Sequence, residues 1–270
     1  CLITRHEAVR GLIKIFIDTT NRDTISLAER IGPHSSVVLE DYDPLFDPVP
    51  EGVDAVLYPV DAIPPMIERE TSIAVMVPRS TSGWVSVPVH PGELPPGSKV
   101  SVCGEVMGRY IGSLYPDLDV VSVHVSADDC LDDDADAWIV PEADLILLSP
   151  ERKHSVLDPD TFLPVPGQGC LCFLCRKDDA EARRKLSGLN HMPTRIEVEA
   201  ELGILKLTGH GRSSPLAAGA VLEDMFVHIR CTSFICDERR DADEYLQCDY
   251  VMDELLGISE YLTGKRDRVI

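Results

Sequence analysis

Thiols are the most chemically suggestive side chains in this sequence. Nine cysteines stand at positions 1, 103, 130, 170, 172, 175, 231, 236 and 248. Thiolates suit zinc or iron–sulfur clusters, and the run Cys170-x-Cys172-x-x-Cys175 is their densest group. On a β-strand, 170 and 172 would share one face and 175 the other, which favours a core filler over a ligand set. Cys231, Cys236 and Cys248 pose the same choice between core thiols and a metal site. The odd count and irregular spacing argue against a disulfide framework and for free thiols in a reducing compartment. The acidic run Asp128 to Asp136 offers hard oxygen ligands for a cation, or else a solvated helix start favoured by the helix dipole. His210 and Arg212, in LTGHGRSSPLAAGA, read as a small anion clamp or as a surface loop pair.

The elements that must position these groups show as short β-rich runs: 55–58, 72–77, 99–102, 119–125, 144–148 and 170–175. Pro, Gly and Asp punctuate them. Helical patterns lie between, at 107–114 and 178–189, and the alternation predicts an α/β fold. The stretch Pro78 to Pro96, rich in Ser, Pro and Gly, reads as a hinge or a domain crossing. Beyond Met192 come a helix-like RIEVEAELGIL, a small-residue loop, a strand-like 225–231 and an amphipathic helix expected over 244–262. That order reads as a separate α+β domain.

The chain has 270 residues and 44% apolar residues, enough for two or three modest cores. Its formal net charge is −21, from 46 acidic against 25 basic residues. Such a surface repels nucleic acid and anionic membrane, so neither is an expected partner. No apolar run approaches the roughly eighteen residues of a membrane span. No basic-then-apolar leader opens the sequence, and a cytoplasmic location is expected.

The stretch FLPVPGQGCLCFLCRKDDAEARRKLSGLNHMPTRIEVEAELGILKLTGHGRSSPLAAGA, Phe162 to Ala220, resembles porphobilinogen deaminase, also called hydroxymethylbilane synthase. The resemblance extends upstream through Leu114-Tyr-Pro-Asp-Leu-Asp-Val-Val121, Gly97-Ser-Lys-Val-Ser-Val102 and the stretch Gly52 to Pro64, with Thr4-Arg5 answering an N-terminal motif. It implies two α/β domains facing each other across a cleft, like a periplasmic binding protein, plus a small C-terminal α+β domain. The first would comprise residues 1–80 and 165–192, the second 81–164 and the third 193–270. The family condenses porphobilinogen into a linear tetrapyrrole grown on a dipyrromethane held by a thioether.

That chemistry needs an acid near the pyrrole nitrogen, arginines for the carboxylate arms and an anchoring thiolate. By the resemblance, the catalytic Asp falls on Ala62 and the preceding Lys on Asp61. The paired arginines fall on Val106 and Met107, two more on His124 and Cys130, and the anchoring Cys on Arg212. A guanidinium forms no thioether. Each lost charge-assisted pair removes roughly 1.5–3 kcal/mol of binding. Asp61 standing in for the acid would point to the other face if the segment continues a strand. Arg5, Gln168, His124 and Arg212 remain as candidate ligand-binding residues. Dipyrromethane is not an expected cofactor. Cys103, His124 and Cys130 occupy family cleft positions that converge on one cofactor, and Cys170 lies beside Gln168. Those four could hold zinc or an iron–sulfur cluster, or serve as small buried fillers.

The leading expectation is an inactive relative that binds another ligand or a protein partner in the interdomain cleft, for instance in metallocofactor assembly. The alternatives are an active hydroxymethylbilane synthase with its anchor moved to another cysteine, and a structural subunit of a larger complex.

Overall fold

The computed structural model describes residues 13–17, 35–39, 49, 51–63, 71–236, 238–248 and 251–267. The chain begins with β1 (Ile13–Ile17), β2 (Ser35–Leu39), β3 (Ala55–Pro59), β4 (Thr71–Met76), β5 (Trp84–Val87) and β6 (Lys99–Cys103). Helix α1 (Glu105–Leu114), β7 (Asp119–His124), α2 (Ala127–Leu131), β8 (Ala137–Pro141), α3 (Glu142–Leu148), β9 (Ser155–Val156) and β10 (Leu171–Arg176) follow. Then come α4 (Ala180–Leu186), α5 (Met192–Thr208), β11 (Leu216–Glu223), β12 (Phe226–Ser233), β13 (Arg240–Gln247) and α6 (Val251–Leu262). The fold is α/β, in two compact units: residues 1–80 with 169–196, and residues 81–168 with 197–270.

The first unit holds a five-stranded sheet of order β2-β1-β3-β10-β4. Strand β1 runs parallel to β2 and β3, while β10 runs antiparallel between β3 and β4. Leu57, Val75, Phe173 and Leu186 lie in its core. A bulge in the β10–β4 register skips Ala74, whose carbonyl accepts from Arg195 Nη1 at 3.0 Å. An α5 arginine thus serves a carbonyl that the bulge takes out of the ladder.

The second unit holds two sheets. One has the order β7-β6-β8-β5-β9, with β6 parallel to β7 and β8. The segment β6-α1-β7-α2-β8 is a pair of βαβ crossovers, which places the carboxyl ends of β6 and β7 side by side. The other sheet is the antiparallel meander β11-β12-β13, with α6 packed on β12 and β13. Ala217 and Phe234 of the meander region share one core with Trp84, Met107 and Tyr110. Tyr110 and Phe234 meet edge-to-face with ring centroids 5.5 Å apart.

Two sequence expectations need correction. The apolar run 144–148 is the helix α3, not a strand. Leu145 is buried and Ile146 exposed, and the strand is the preceding AWIVP of β8. Residues 244–247 belong to β13, so the last helix starts only at Val251. Ala242 and Leu246 point inward while Asp241, Asp243 and Tyr245 face water, a period of two hidden among charged residues. The Pro78–Pro96 stretch contains the crossing, between Ser80 and Thr81, but it also contains the fully buried strand β5.

Candidate functional site

Strand β3 runs into a 3-10 turn, Val60–Ala62, tied down by the Val60 amide donating to the Cys170 carbonyl at 2.8 Å. Val60 is buried, Asp61 half-buried and Ala62 exposed. The segment is therefore not a strand continuation. Successive side chains turn by about 120° rather than 180°, so Asp61 and Ala62 are not on opposite faces. Arg5 lies outside the described residues.

A polar cluster forms beside the ends of β6 and β7. Ser101 and Ser122 are adjacent across these strands, as are Cys103 and His124. Asp133, just past α2, accepts from Ser101 Oγ at 3.0 Å and lies 3.1 Å from His124 Nε2. Hydrogen bonds from Ser122, His124 and Ser101 hold its pKa down to about 2. The backbone supports this corner, with the Gly104 amide donating to the His124 carbonyl at 2.8 Å. Ser126 caps α2, accepting from the Asp129 amide at 3.2 Å, so the acidic run does open a helix.

The candidate metal ligands are engaged within the protein. Cys103 Sγ donates to the Val125 carbonyl at 3.6 Å, and Cys130 Sγ to Ser101 Oγ at 3.6 Å and the Ile139 carbonyl at 3.9 Å. Burial pushes the Cys130 thiol up to about 11, away from the thiolate a metal needs. Cys170, in the first unit, is buried and directs Sγ to the Leu171 carbonyl at 3.6 Å. Cys172 and Cys175 are buried as well, since β10 is an interior strand covered on both faces. Among the described residues, no group of three or more His, Cys, Asp or Glu side chains is arranged to hold a metal ion.

The two positions where the resemblance puts paired arginines are packed in the core. Val106 and Met107, in the first turn of α1, are 1% and 0% exposed. They lie in one core with Trp84, Tyr110 and Phe162.

Gln168 and Arg212 flank a third feature, built on α5. The helix ends at Thr208, and Gly209 and Gly211 follow with φ of 75° and 73°. This left-handed backbone is cheap only for glycine and turns the chain toward β11. Arg212, half-buried, donates from Nη1 to the Pro166 carbonyl at 3.4 Å. Gln168 donates Nε2 to the carbonyls of Ser82 and Gly83 at 2.9 and 3.1 Å, and its Oε1 accepts from the Val165 amide at 3.2 Å. Its amide is committed to backbone, so its role is to shape the loop. Sequence reasoning missed Glu201. This fully buried carboxylate accepts from the Gly167 and Ala220 amides, each at 2.9 Å. The signal was present: Glu197 and Glu201 follow helical spacing on the side of α5 that also carries Val198, Ile204 and Thr208.

The porphobilinogen deaminase dipyromethane cofactor binding domain matches residues 50–184, half of the chain. The chain belongs to the porphobilinogen deaminase family. It is 38% identical to the porphobilinogen deaminase of Nitratidesulfovibrio vulgaris over 134 residues, which is 48% of this chain and 42% of that protein. The porphobilinogen deaminase of Syntrophobacter fumaroxidans is 30% identical over 181 residues, 65% of this chain and 54% of that protein. A probable porphobilinogen deaminase of Methanopyrus kandleri is 29% identical over 170 residues, 60% of this chain and 57% of that protein. The chain thus spans about half the length of the curated relatives it matches. A solved structure, the probable amino-acid ABC transporter extracellular-binding protein ytmK from Bacillus subtilis, is similar with a TM-score of 0.41 and 11% identity, covering 66% of this chain and 89% of that one.

The residues that the resemblance puts at the family cofactor's positions do not fit it. Where the resemblance puts the anchoring thiol stands the guanidinium of Arg212, turned to a backbone carbonyl, and where it puts two arginines stand the apolar core residues Val106 and Met107. No helix among the described residues is long and apolar enough to cross a membrane.

Proposed function

We propose that this porphobilinogen deaminase family member does not catalyse tetrapyrrole assembly and keeps the fold to bind a different ligand or a protein partner. The observation that carries this reading is the burial of Val106 and Met107. The two positions that by resemblance would carry arginines are integral to the core of the second unit, so the anion-binding function has been exchanged for packing. A relocated cofactor anchor finds little support. Of the cysteines among the described residues, six are buried and only Cys236 and Cys248 are half-exposed. Burial raises the thiol pKa at Cys130, Cys175 and Cys231, which keeps those thiols protonated and weakly nucleophilic at neutral pH.

The test is incubation of the purified chain with porphobilinogen, followed by intact-protein mass measurement and an assay for linear tetrapyrrole. No covalent pyrrole adduct and no turnover are expected. An adduct on any cysteine accompanied by turnover overturns the reading. The same protein prepared anaerobically is expected to carry iron and zinc well below one equivalent, because the donors that could bind them are spent on internal hydrogen bonds.

A further inference from the structure

Strand β7 combines two properties that folded proteins ordinarily keep apart. Among the described residues it is the terminal strand of its sheet, and two of its three exposed positions are valines, the third being Asp119 at its start. Val121, Val123 and Val125, alternating along the strand and just beyond it, are 40%, 45% and 100% exposed. An exposed, β-branched edge is a template for another strand, and natural sheets usually blunt such edges with charge, bulges or cover; here the blunting is confined to Asp119 and to one register shift that leaves Val121 without a partner on β6. The neighbouring helix leaves room beside it. Gly108 and Gly112 of α1 are one turn apart; Val123 packs at Gly108, while the space a Cβ would take at Gly112 is open. Leu114, exposed at the end of α1, adds apolar surface. Acidic groups stand at both ends of the strand, with Asp117 and Asp119 at its start and Asp128 and Asp129 just past its end, all exposed.

We propose that β7 is a docking edge for an extended basic polypeptide segment, which adds to the sheet as a further strand. The recognised chemistry is apolar side chains at alternate positions, to lie against the valines, with Lys or Arg toward the ends, to meet the aspartates. Main-chain hydrogen bonds supply affinity in such strand addition, and side-chain pockets and charge supply selectivity. Charge decides between occupants. A second copy of this chain would bring the same four carboxylates and a net charge of −21 to the contact, and like charges brought together across a strand pair are unfavourable. A basic segment turns the same groups into attraction and guides encounter.

The probe is a fluorescent peptide of about ten residues, the length of a long strand, alternating threonine and valine with lysines at both ends. Its binding to the whole chain is read by anisotropy at low and physiological salt. Saturable binding is expected, with affinity falling as salt rises. Replacing the end lysines by glutamates is expected to weaken it at least about tenfold. Methylating alternate backbone nitrogens on one edge should abolish it. Val121→Lys, at an exposed position and checked for retained fold by circular dichroism, should weaken it by a similar factor. Failure of the lysine-ended peptide to bind overturns the proposal, as does undiminished binding of the methylated peptide or unchanged affinity of Val121→Lys. A dimer of the free protein that Val121→Lys dissociates would make the occupant a second copy and would equally refute it. None of these outcomes depends on whether the chain turns over porphobilinogen.

Discussion

Glu201 shows how much a single residue of α5 organises around the loop that carries Gln168. Its two carboxylate oxygens satisfy amides from separate segments, Gly167 in the loop that carries Gln168 and Ala220 in β11. Glu197, one turn earlier, accepts from the Leu222 amide at 3.0 Å. Together the two glutamates pair with alternate amides of an edge strand that has no strand neighbour on that side among the described residues. Truncation of Glu201 to alanine leaves two buried donors without acceptors and opens a cavity. Glu201→Ala is therefore expected to lower unfolding free energy by about 3–5 kcal/mol, from charge-assisted bonds of about 1.5–3 kcal/mol each. Urea denaturation monitored by far-ultraviolet circular dichroism reads this directly, and a loss below about 1 kcal/mol would mean that the loop and strand find other partners. The sequence displays Glu201 on the inward stripe of its helix, but a glutamate there reads equally as a solvated residue at the stripe's border. Only the placement of Gly167 and Ala220 across from it reveals the role, and those contacts are 34 and 19 residues away in the chain.

Helix α1 carries the distinction between a catalytic and a structural surface. Its first turn follows Gly104, whose φ of 88° lets the chain swing from β6 into the helix. The swing aims Val106 and Met107 into the core, with Tyr110 and Ile111 one turn on. Met107→Arg would place an unpaired guanidinium among Trp84, Tyr110 and Phe162. A loss of at least about 4 kcal/mol is expected, with no gain in affinity for polycarboxylates, since burial of an unpaired charge is among the most damaging single changes. Thermal unfolding and equilibrium dialysis with a tetracarboxylate give the two readouts. A stable variant with new anion binding would mean that the position faces solvent, and would reopen the case for latent activity. The elements around this helix were legible in outline. The apolar runs of β3, β4, β6, β7 and β10 and the patterns of α1, α4 and α5 fall where periodicity and punctuation put them. Two elements were misread for opposite physical reasons. Helix α3 is short and apolar enough to look like a strand, whereas β13 is an edge strand whose charged outer face looks like the polar side of a helix. That the resemblance sets Ala62, Val106, Met107 and Arg212 against family site residues was visible from sequence. The consequences were not, because whether such a position leaves an open pocket or a filled core depends on packing from segments far apart in the chain.

At the scale of the whole molecule, the charge distribution sets the conditions under which the fold persists. With 46 acidic and 25 basic residues, the surface repels itself. The ion pairs that the structure contains relieve this only locally. Arg109 with Glu105 and Arg239 with Asp241 are exposed or half-exposed pairs, each contributing about 0–1 kcal/mol. Lys185, more deeply placed, joins Asp54 at 2.8 Å within the first unit. Excess negative charge penalises the compact state, because unfolding moves like charges apart. Added salt screens that repulsion over distances that shrink from about 30 Å at 0.01 M to about 3 Å at 1 M. Stability is thus expected to rise between low and molar sodium chloride, with the melting temperature shifting upward by several degrees, as expected for a gain of about 1–2 kcal/mol in a domain of this size. The control is a preparation in which several exposed aspartates of the 128–136 run, leaving Asp133 and its hydrogen bonds intact, are changed to asparagine. It should start more stable at low salt and gain less from added salt. A melting temperature indifferent to salt in both proteins would show that the acidic surface is neutral for folding, and that the charge serves recognition alone.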